Sequence, residues 1–164
     1  MITQKRLKEL LDYDPGTGIF TWRVGRGGKA KAVSVAGTVS NRGYLQIRID
    51  AKRYYAHRLA WLYFHGEFPS NQLDHINRVR SDNRIANLRP ATNSENQQNL
   101  SKRRDNTSGV IGVSWHKQRG KWVARIRVNG RYIYLGLYET VEAATAARLL
   151  AKAKLHTFQP EDAA

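Results

Sequence analysis

The chain has 164 residues and no cysteine, and its 28 Lys and Arg against 13 Asp and Glu leave a formal charge of +15. That length holds one medium domain or two small ones. The missing thiols exclude disulfides and any cysteine-based zinc site, and no apolar run approaches the roughly 20 residues of a membrane span. So positive a field attracts polyanions before any contact forms, nucleic acid ahead of an anionic membrane surface.

The opening MITQKRLKELL predicts an amphipathic helix capped by Thr3 and running to about Asp12, with Leu7, Leu10 and Leu11 on one face. It has no signal-peptide core, so the chain reads as a cytoplasmic protein without a membrane partner. Asp14-Pro15-Gly16-Thr17-Gly18 is a dense turn signal. Residues 19–24 read as a strand, followed by a Gly- and Lys-rich loop over 25–31 that can lie along a phosphate backbone. Residues 43–50 alternate, placing Leu45, Ile47 and Ile49 on one face. Lys52-Arg53 is the expected hairpin tip, with Tyr54-Tyr55 returning. AHRLAWLYFHG, residues 56–66, puts Ala56, Leu59, Ala60, Tyr63 and Phe64 on one helix face, ended by Gly66 with Pro69 beyond. His57 and His65 read as partly buried, hydrogen-bonded side chains, and Arg58 as a phosphate contact.

Residues 73–99, LDHINRVRSDNRIANLRPATNSENQQN, gather an Asp-His pair and six asparagines, a composition of little use to a core. Asn and Asp serve turns, caps and side-chain bonds to backbone, and Asp, His and Asn together can hold a divalent cation. Leu73-Asp74-His75 reads as a strand end and Asn87-Leu88-Arg89 as a second strand after a turn-rich excursion. Asn93-Ser94-Glu95-Asn96 opens a short helix. Asn77, Asn83 and Asn87 read as turn and loop-fixing residues. Arg84 and Arg89 either contact DNA or pair with Asp82 or Glu95.

Residues 101–108 have no apolar side chain and read as a basic linker, with Lys102, Arg103 and Arg104 available to phosphates. Three short strands and a helix follow. Residues 121–128 alternate, with Trp122, Ala124, Ile126 and Val128 on one face and Lys121, Arg125 and Arg127 on the other. Asn129-Gly130 is a two-residue hairpin turn. The return strand starts at Arg131, with Ile133 and Leu135 inward and Tyr132 and Tyr134 outward. Thr140 caps a helix to about Leu155 whose small face is Ala143, Ala144, Ala147 and Ala151. The open sheet face, carrying Lys121, Arg125, Arg127, Arg131, Tyr132 and Tyr134, suits a DNA groove. The charge is +8 over residues 1–60, zero over 61–100 and +7 over 101–164, so the Asp-His stretch is neutral between basic flanks.

A strand-end Asp-His beside a helix face can hydrolyse a phosphodiester: Asp74 and the Asn96 amide offer oxygens to one Mg²⁺ or Mn²⁺, and a neutral His75 takes a proton from the attacking water. These motifs resemble a family. Asp74-His75-Ile76-Asn77, Asp82-Asn83-Arg84, Asn87-Leu88-Arg89 and Ser94-Glu95-Asn96-Gln97-Gln98-Asn99, preceded by Tyr55-Ala56-His57-Arg58-Leu59-Ala60-Trp61, resemble the phage and intron-encoded HNH homing endonucleases. Gly109-Val110-Ile111-Gly112-Val113-Ser114-Trp115, Gly120-Lys121-Trp122-Val123-Ala124 and Leu135-Gly136-Leu137-Tyr138 resemble the APETALA/ethylene-response-factor DNA-binding domain.

The resemblance implies an α+β chain: an N-terminal helix and hairpin region (1–55), a ββα-metal nuclease core (56–100), the linker (101–108), a three-stranded antiparallel sheet packed on one helix (109–158) and a tail (159–164). It implies His75 as general base, Asp74 and Asn96 as metal ligands in an HNN variant with Asn93 or Asn99 as substitutes for the helix ligand, and Asn87 as a structural strut. It further implies double-stranded DNA as partner, no small-molecule cofactor, and the host-cell cytoplasm if the chain is phage-encoded. A monomer suffices for such a site, and the oligomeric state stays open. The competing reading is a non-enzymatic, sequence-specific DNA-binding regulator that keeps the nuclease hairpin as scaffold.

Overall fold

The computed structural model describes residues 1–25, 27, 31–100, 102 and 104–157. Arg103, positions 26 and 28–30 of the expected loop, and the 159–164 tail lie outside the described residues. The fold is α+β, with four small antiparallel sheets and four helices among the described residues. The chain divides into two compact units, Met1–Ala91 and Thr92–Ala164.

In the first unit, α1 (Gln4–Leu10) begins where Thr3 Oγ1 accepts from the Arg6 amide at 3.2 Å. The helix ends before Asp12 because Leu11 turns to extended backbone and opens β1 (Leu11–Asp14), which pairs with β2 (Ile19–Trp22). Leu11 and Tyr13 point inward and Asp12 and Asp14 outward. The neighbouring leucines hide this period-two pattern, since Leu7 and Leu10 are buried at helical spacing and Leu11 serves both periods. The turn is closed by the Asp14 side chain, whose oxygens accept from the Gly16 amide at 2.9 Å and the Thr17 hydroxyl at 2.8 Å.

A three-stranded sheet follows, in the order β3 (Thr38–Val39), β4 (Leu45–Ile49), β5 (Lys52–Tyr55). The hairpin tip falls on Asp50 and Ala51, at φ 46° and 64°, and not on Lys52-Arg53, which belong to β5 opposite Ile49 and Arg48. Keeping Ile49 inward extends β4 to that residue, and Asp tolerates the left-handed turn that follows. Then α2 (Ala56–His65) buries Ala56, His57, Leu59, Ala60 and Leu62 and stops at left-handed Gly66, whose amide donates to the Leu62 carbonyl at 3.0 Å. Phe64, expected on the inner face, is 56 % exposed. Leu7, Leu11, Phe20, Ile47, Ile49 and Leu59 form the densest part of the core. Upon this base sits the hairpin of β6 (Gln72–His75) and β7 (Leu88–Ala91), with a single 3-10 turn, Ile85–Asn87, before β7.

The second unit opens with α3 (Asn93–Gln98), fixed by a reciprocal cap in which the Glu95 amide donates to Thr92 Oγ1 at 3.3 Å and the Thr92 amide to Glu95 Oε2 at 2.8 Å. Strands β8 (Val113–His116), β9 (Lys121–Val128) and β10 (Arg131–Tyr138) form an antiparallel sheet in the order β10-β9-β8, covered by α4 (Val141–Leu155). The Asn129-Gly130 turn forms as expected, at φ 48° and 80°. A register shift between Tyr134 and Gly136 leaves Ile133 40 % exposed while Leu135 packs on the Val113, Ala124 and Ala144 core. The helix buries Ala144 and Ala151 but leaves Ala143 exposed, and it buries Arg148, which the small-residue pattern did not anticipate. Among the described residues no helix is long and apolar enough to cross a membrane.

Candidate active site and nucleic-acid interface

The β6–β7 hairpin places the Asp-His pair by register. Asp74 stands opposite Arg89 and His75 opposite Leu88, so these successive side chains point to opposite faces. Asp74 turns to the partly solvated face, where its Oδ2 accepts from Arg89 Nη2 at 2.8 Å and Nε at 3.0 Å. His75 turns inward and is 5 % exposed.

The His75 ring is held on two sides. Its Nε2 lies 3.5 Å from Asn83 Oδ1. The Asn83 amide is oriented by its own Nδ2, which donates to the Ser81 carbonyl at 3.0 Å, and this leaves Oδ1 facing the imidazole. On the other side His57 meets it edge-on, with ring centroids 5.0 Å apart at 78°, and Tyr44 lies at 6.0 Å. Burial lowers the His75 pKa below its ordinary value, against the raising effect of Asn83 and Asp74, so the ring favours the neutral state. His57 is pushed further, to about 3, by burial, with His75 and Arg58 adding to the effect. Its Nδ1 is buried without a hydrogen-bond partner, and its ring packs against those of Tyr44, Tyr55 and His75. The His65 ring lies tilted against that of Trp61, with centroids 4.0 Å apart.

Between the strands the excursion is tied by asparagines. Asn87 Oδ1 accepts from the Asn77 amide at 3.0 Å, and its Nδ2 donates to Asn77 Oδ1 at 2.9 Å and to the Asp82 carbonyl at 2.8 Å. Asn87 therefore sits in the 3-10 turn, one residue before β7, with its amide bridging both ends of the loop. Asp82 pairs with Arg84 at 2.6 Å, a bond that together with the Asn77 amide holds its carboxyl below the usual range. Arg89 pairs with Asp74, and Glu95 caps α3. Arg58 donates to the Pro69 carbonyl at 3.4 Å and lies over the Phe68 ring.

The first hairpin supports this loop from beneath, a link no motif in the sequence announces. The Tyr13 hydroxyl donates to the Asn83 carbonyl at 2.8 Å, and burial raises its pKa to about 12. At Gly18, φ 74°, an added Cβ would lie 2.4 Å from the Arg84 nitrogen and 2.6 Å from the Asn83 carbonyl carbon, so the turn packs backbone to backbone and requires glycine.

Asn96 is carried by α3 in the second unit, half-buried, and Asn93 and Asn99 lie at the first residue and C-cap of the same helix. Asp74, His75 and Asn87 belong to the first unit. Among the described residues no group of three or more His, Asp or Glu gathers as a metal cage. The carboxylate oxygens of Asp74 and the side-chain amide oxygen of Asn96 are each donors of the kind a hard divalent ion takes.

On the second unit's sheet, Tyr132 stands opposite Arg127 and Tyr134 opposite Arg125. Both tyrosines are well exposed, and the Arg127 guanidinium lies 5.5 Å over the Tyr132 ring. Arg131 is exposed at the start of β10, whereas Lys121 pairs with Glu139 at 2.6 Å. Trp115 on β8, also exposed and in edge contact with Trp122, adds an aromatic plane that alternation within β9 and β10 alone did not reveal. Lys102 and Arg104 are exposed outside regular elements.

Parts of the chain are similar to known proteins. Residues 54–98 match the HNH endonuclease family and residues 108–156 match the AP2 domain. Protein 3.8 of Escherichia phage T7 is 33 % identical over 76 residues, 46 % of this chain and 63 % of that protein, so the aligned stretch spans less than two thirds of the relative. A solved structure described as DNA binding and cleavage by the HNH homing endonuclease I-HmuI is similar at 20 % identity and a TM-score of 0.43, covering 88 % of this chain and 80 % of that one.

Proposed function

We propose, from the match of residues 54–98 to the HNH endonuclease family and of residues 108–156 to the AP2 domain, that the chain is a metal-dependent DNA endonuclease of the homing type that hydrolyses phosphodiester bonds. The observation that carries the reading is His75, an imidazole whose pKa burial lowers and whose ring is oriented between Asn83 and His57, next in sequence to a carboxylate on the partly solvated face.

In this reading His75 is the general base. With its Nε2 proton turned to Asn83 Oδ1, the lone pair rests on Nδ1 and receives the proton of the attacking water, which becomes the new phosphate oxygen. A divalent ion, Mg²⁺ or Mn²⁺, would be held by Asp74 and Asn96 and would neutralise charge on the phosphate and the leaving oxygen. Arg89 fixes the Asp74 carboxylate in one rotamer. Asn87 sets the loop between His75 and Asn83 and takes no part in the chemistry. The AP2-type sheet would lay Arg125, Arg127, Arg131, Tyr132 and Tyr134 in a DNA groove, with Lys102, Arg103 and Arg104 on adjacent phosphates. A phage-encoded chain of this kind would act in the host cytoplasm, as its relative in phage T7 suggests.

Supercoiled plasmid incubated with the full chain and Mg²⁺ or Mn²⁺ tests the proposal: relaxed or linear product that disappears with EDTA supports it. Specific DNA binding with no cutting under any of these ions supports the regulator reading instead, in which the paired Asp74 and buried His75 serve only the hairpin's stability.

A further inference from the structure

Arg48 and Arg53 are directly opposite each other on neighbouring strands, β4 and β5, and both are exposed. Like charges in that register repel and destabilise a sheet. Among the described residues no carboxylate pairs with either one or with Arg42, because nearby Asp50 is engaged by Arg6. All three arginines line one open groove of about 550 Å³ on the outer face of the three-stranded sheet, together with Tyr55. The groove leads toward the His75 loop. Tyr55 stacks on His57 at 5.4 Å, and His57 touches His75. On the adjoining side Arg80 donates to the Arg42 carbonyl at 2.8 Å and spreads its guanidinium 5.0 Å over Tyr44, whose ring lies 6.0 Å from that of His75. A row of arginines thus runs from the sheet toward the imidazole within one unit.

We propose that this sheet face is a phosphate-backbone site for duplex DNA, in which Arg48 and Arg53 each hold a phosphate of the strand that reaches His75 past Arg42 and Arg80. The identity of the polyanion rests on the nuclease reading; the existence of an anion site rests on the arginine geometry. Neutralisation by phosphates removes the repulsion between the paired guanidiniums, and their exposure on the sheet's outer face lets them engage neighbouring phosphates without reading bases.

Binding of a fluorescein-labelled duplex without a chosen sequence, followed by anisotropy from 50 to 300 mM NaCl in EDTA as a test series, measures the number of phosphate contacts. For Arg48→Ala/Arg53→Ala the slope of log affinity against log salt falls by about 2 relative to wild type, since each lost contact removes roughly 0.9. Lys5→Ala/Lys154→Ala removes the same charge elsewhere on the surface and leaves the slope within about 0.5 of wild type. The Arg48→Gln/Arg53→Gln pair, which keeps polar side chains on the sheet, gives the same drop and guards against misfolding of the alanine variant. An unchanged slope in both arginine pairs, or an equal drop in the lysine control, overturns the proposal. Absence of plasmid cutting by wild type would overturn the nuclease reading alone, because the salt slope is read without cleavage.

Discussion

Asp74 and Arg89 face each other across the β6–β7 hairpin, and the arginine closes on a single carboxylate oxygen with two nitrogens, at 2.8 and 3.0 Å. The proposed metal ligand is thus held by a cation on the neighbouring strand, with both side chains mostly withdrawn from water, 12 % and 21 % exposed. Removing either partner takes this two-nitrogen ion pair from the other. Arg89→Ala is expected to lower stability by about 1–3 kcal/mol, and Asp74→Ala by a similar amount. The double variant should lose less than the sum by about 1 kcal/mol. Urea unfolding of the four proteins checks this; strict additivity contradicts it.

Asn87 satisfies three bonds at once in a nearly closed site, 7 % exposed. Asn87→Ala leaves the Asn77 amide and the Asp82 carbonyl without their partner, and should cost about 2 kcal/mol in urea unfolding. Asn87→Asp keeps the acceptor and loses both donors, so it should be destabilising as well. A variant as stable as wild type would remove Asn87 from the role of strut.

His57 makes stability depend on acid. Its folded pKa, about 3, lies below the ordinary 6.5, so the unfolded chain binds the proton first as pH falls. The stability His57 contributes is complete above about pH 6.5 and is lost progressively toward pH 3, at a slope approaching about 1.4 kcal/mol per pH unit. His75, shifted in the same direction, adds to this. Chemical unfolding at pH 7, 6, 5 and 4 with wild type and His57→Phe reads the effect, and the variant should show the shallower dependence. Parallel curves would contradict it.

On the second unit's sheet, Arg125 and Arg127 are the exposed cross-strand partners of Tyr134 and Tyr132. Arg125→Ala/Arg127→Ala is expected to reduce the salt slope of duplex binding by up to about 2, and Tyr132→Ala/Tyr134→Ala to weaken binding with little change in slope. Anisotropy titrations separate the two outcomes. A slope that falls equally in both pairs would count against the tyrosines as groove contacts.

The elements that could be read from the chain were those whose pattern is local: the α2 periodicity with its Gly66 stop, the Asn129-Gly130 turn, and the neutral Asn-rich stretch with its Asp-His pair. β1 was hidden because Leu10 and Leu11 satisfy helix and strand periods together, and the cross-strand pairing with Ile19–Trp22 decides between them. The partner of Arg89 was ambiguous between neighbours in sequence, and the hairpin register gave it to Asp74. Least legible were the contacts made at long range, Tyr13 and Gly18 beneath Asn83, and His57 against His75. Each joins residues between 18 and 70 positions apart, and no local spacing encodes them.

The central claim is that the buried, neutral His75 imidazole takes the proton of the attacking water. Single-turnover cleavage of supercoiled plasmid with saturating Mg²⁺, measured from pH 5 to 8 as a test range for wild type and His75→Ala, reads that role directly. The account predicts a wild-type rate that rises with pH and levels off at a midpoint below the ordinary imidazole value of about 6.5, and a loss of roughly 10²–10⁴-fold with no such rise in His75→Ala. Cutting by His75→Ala at the wild-type rate, with the same pH dependence, would contradict it.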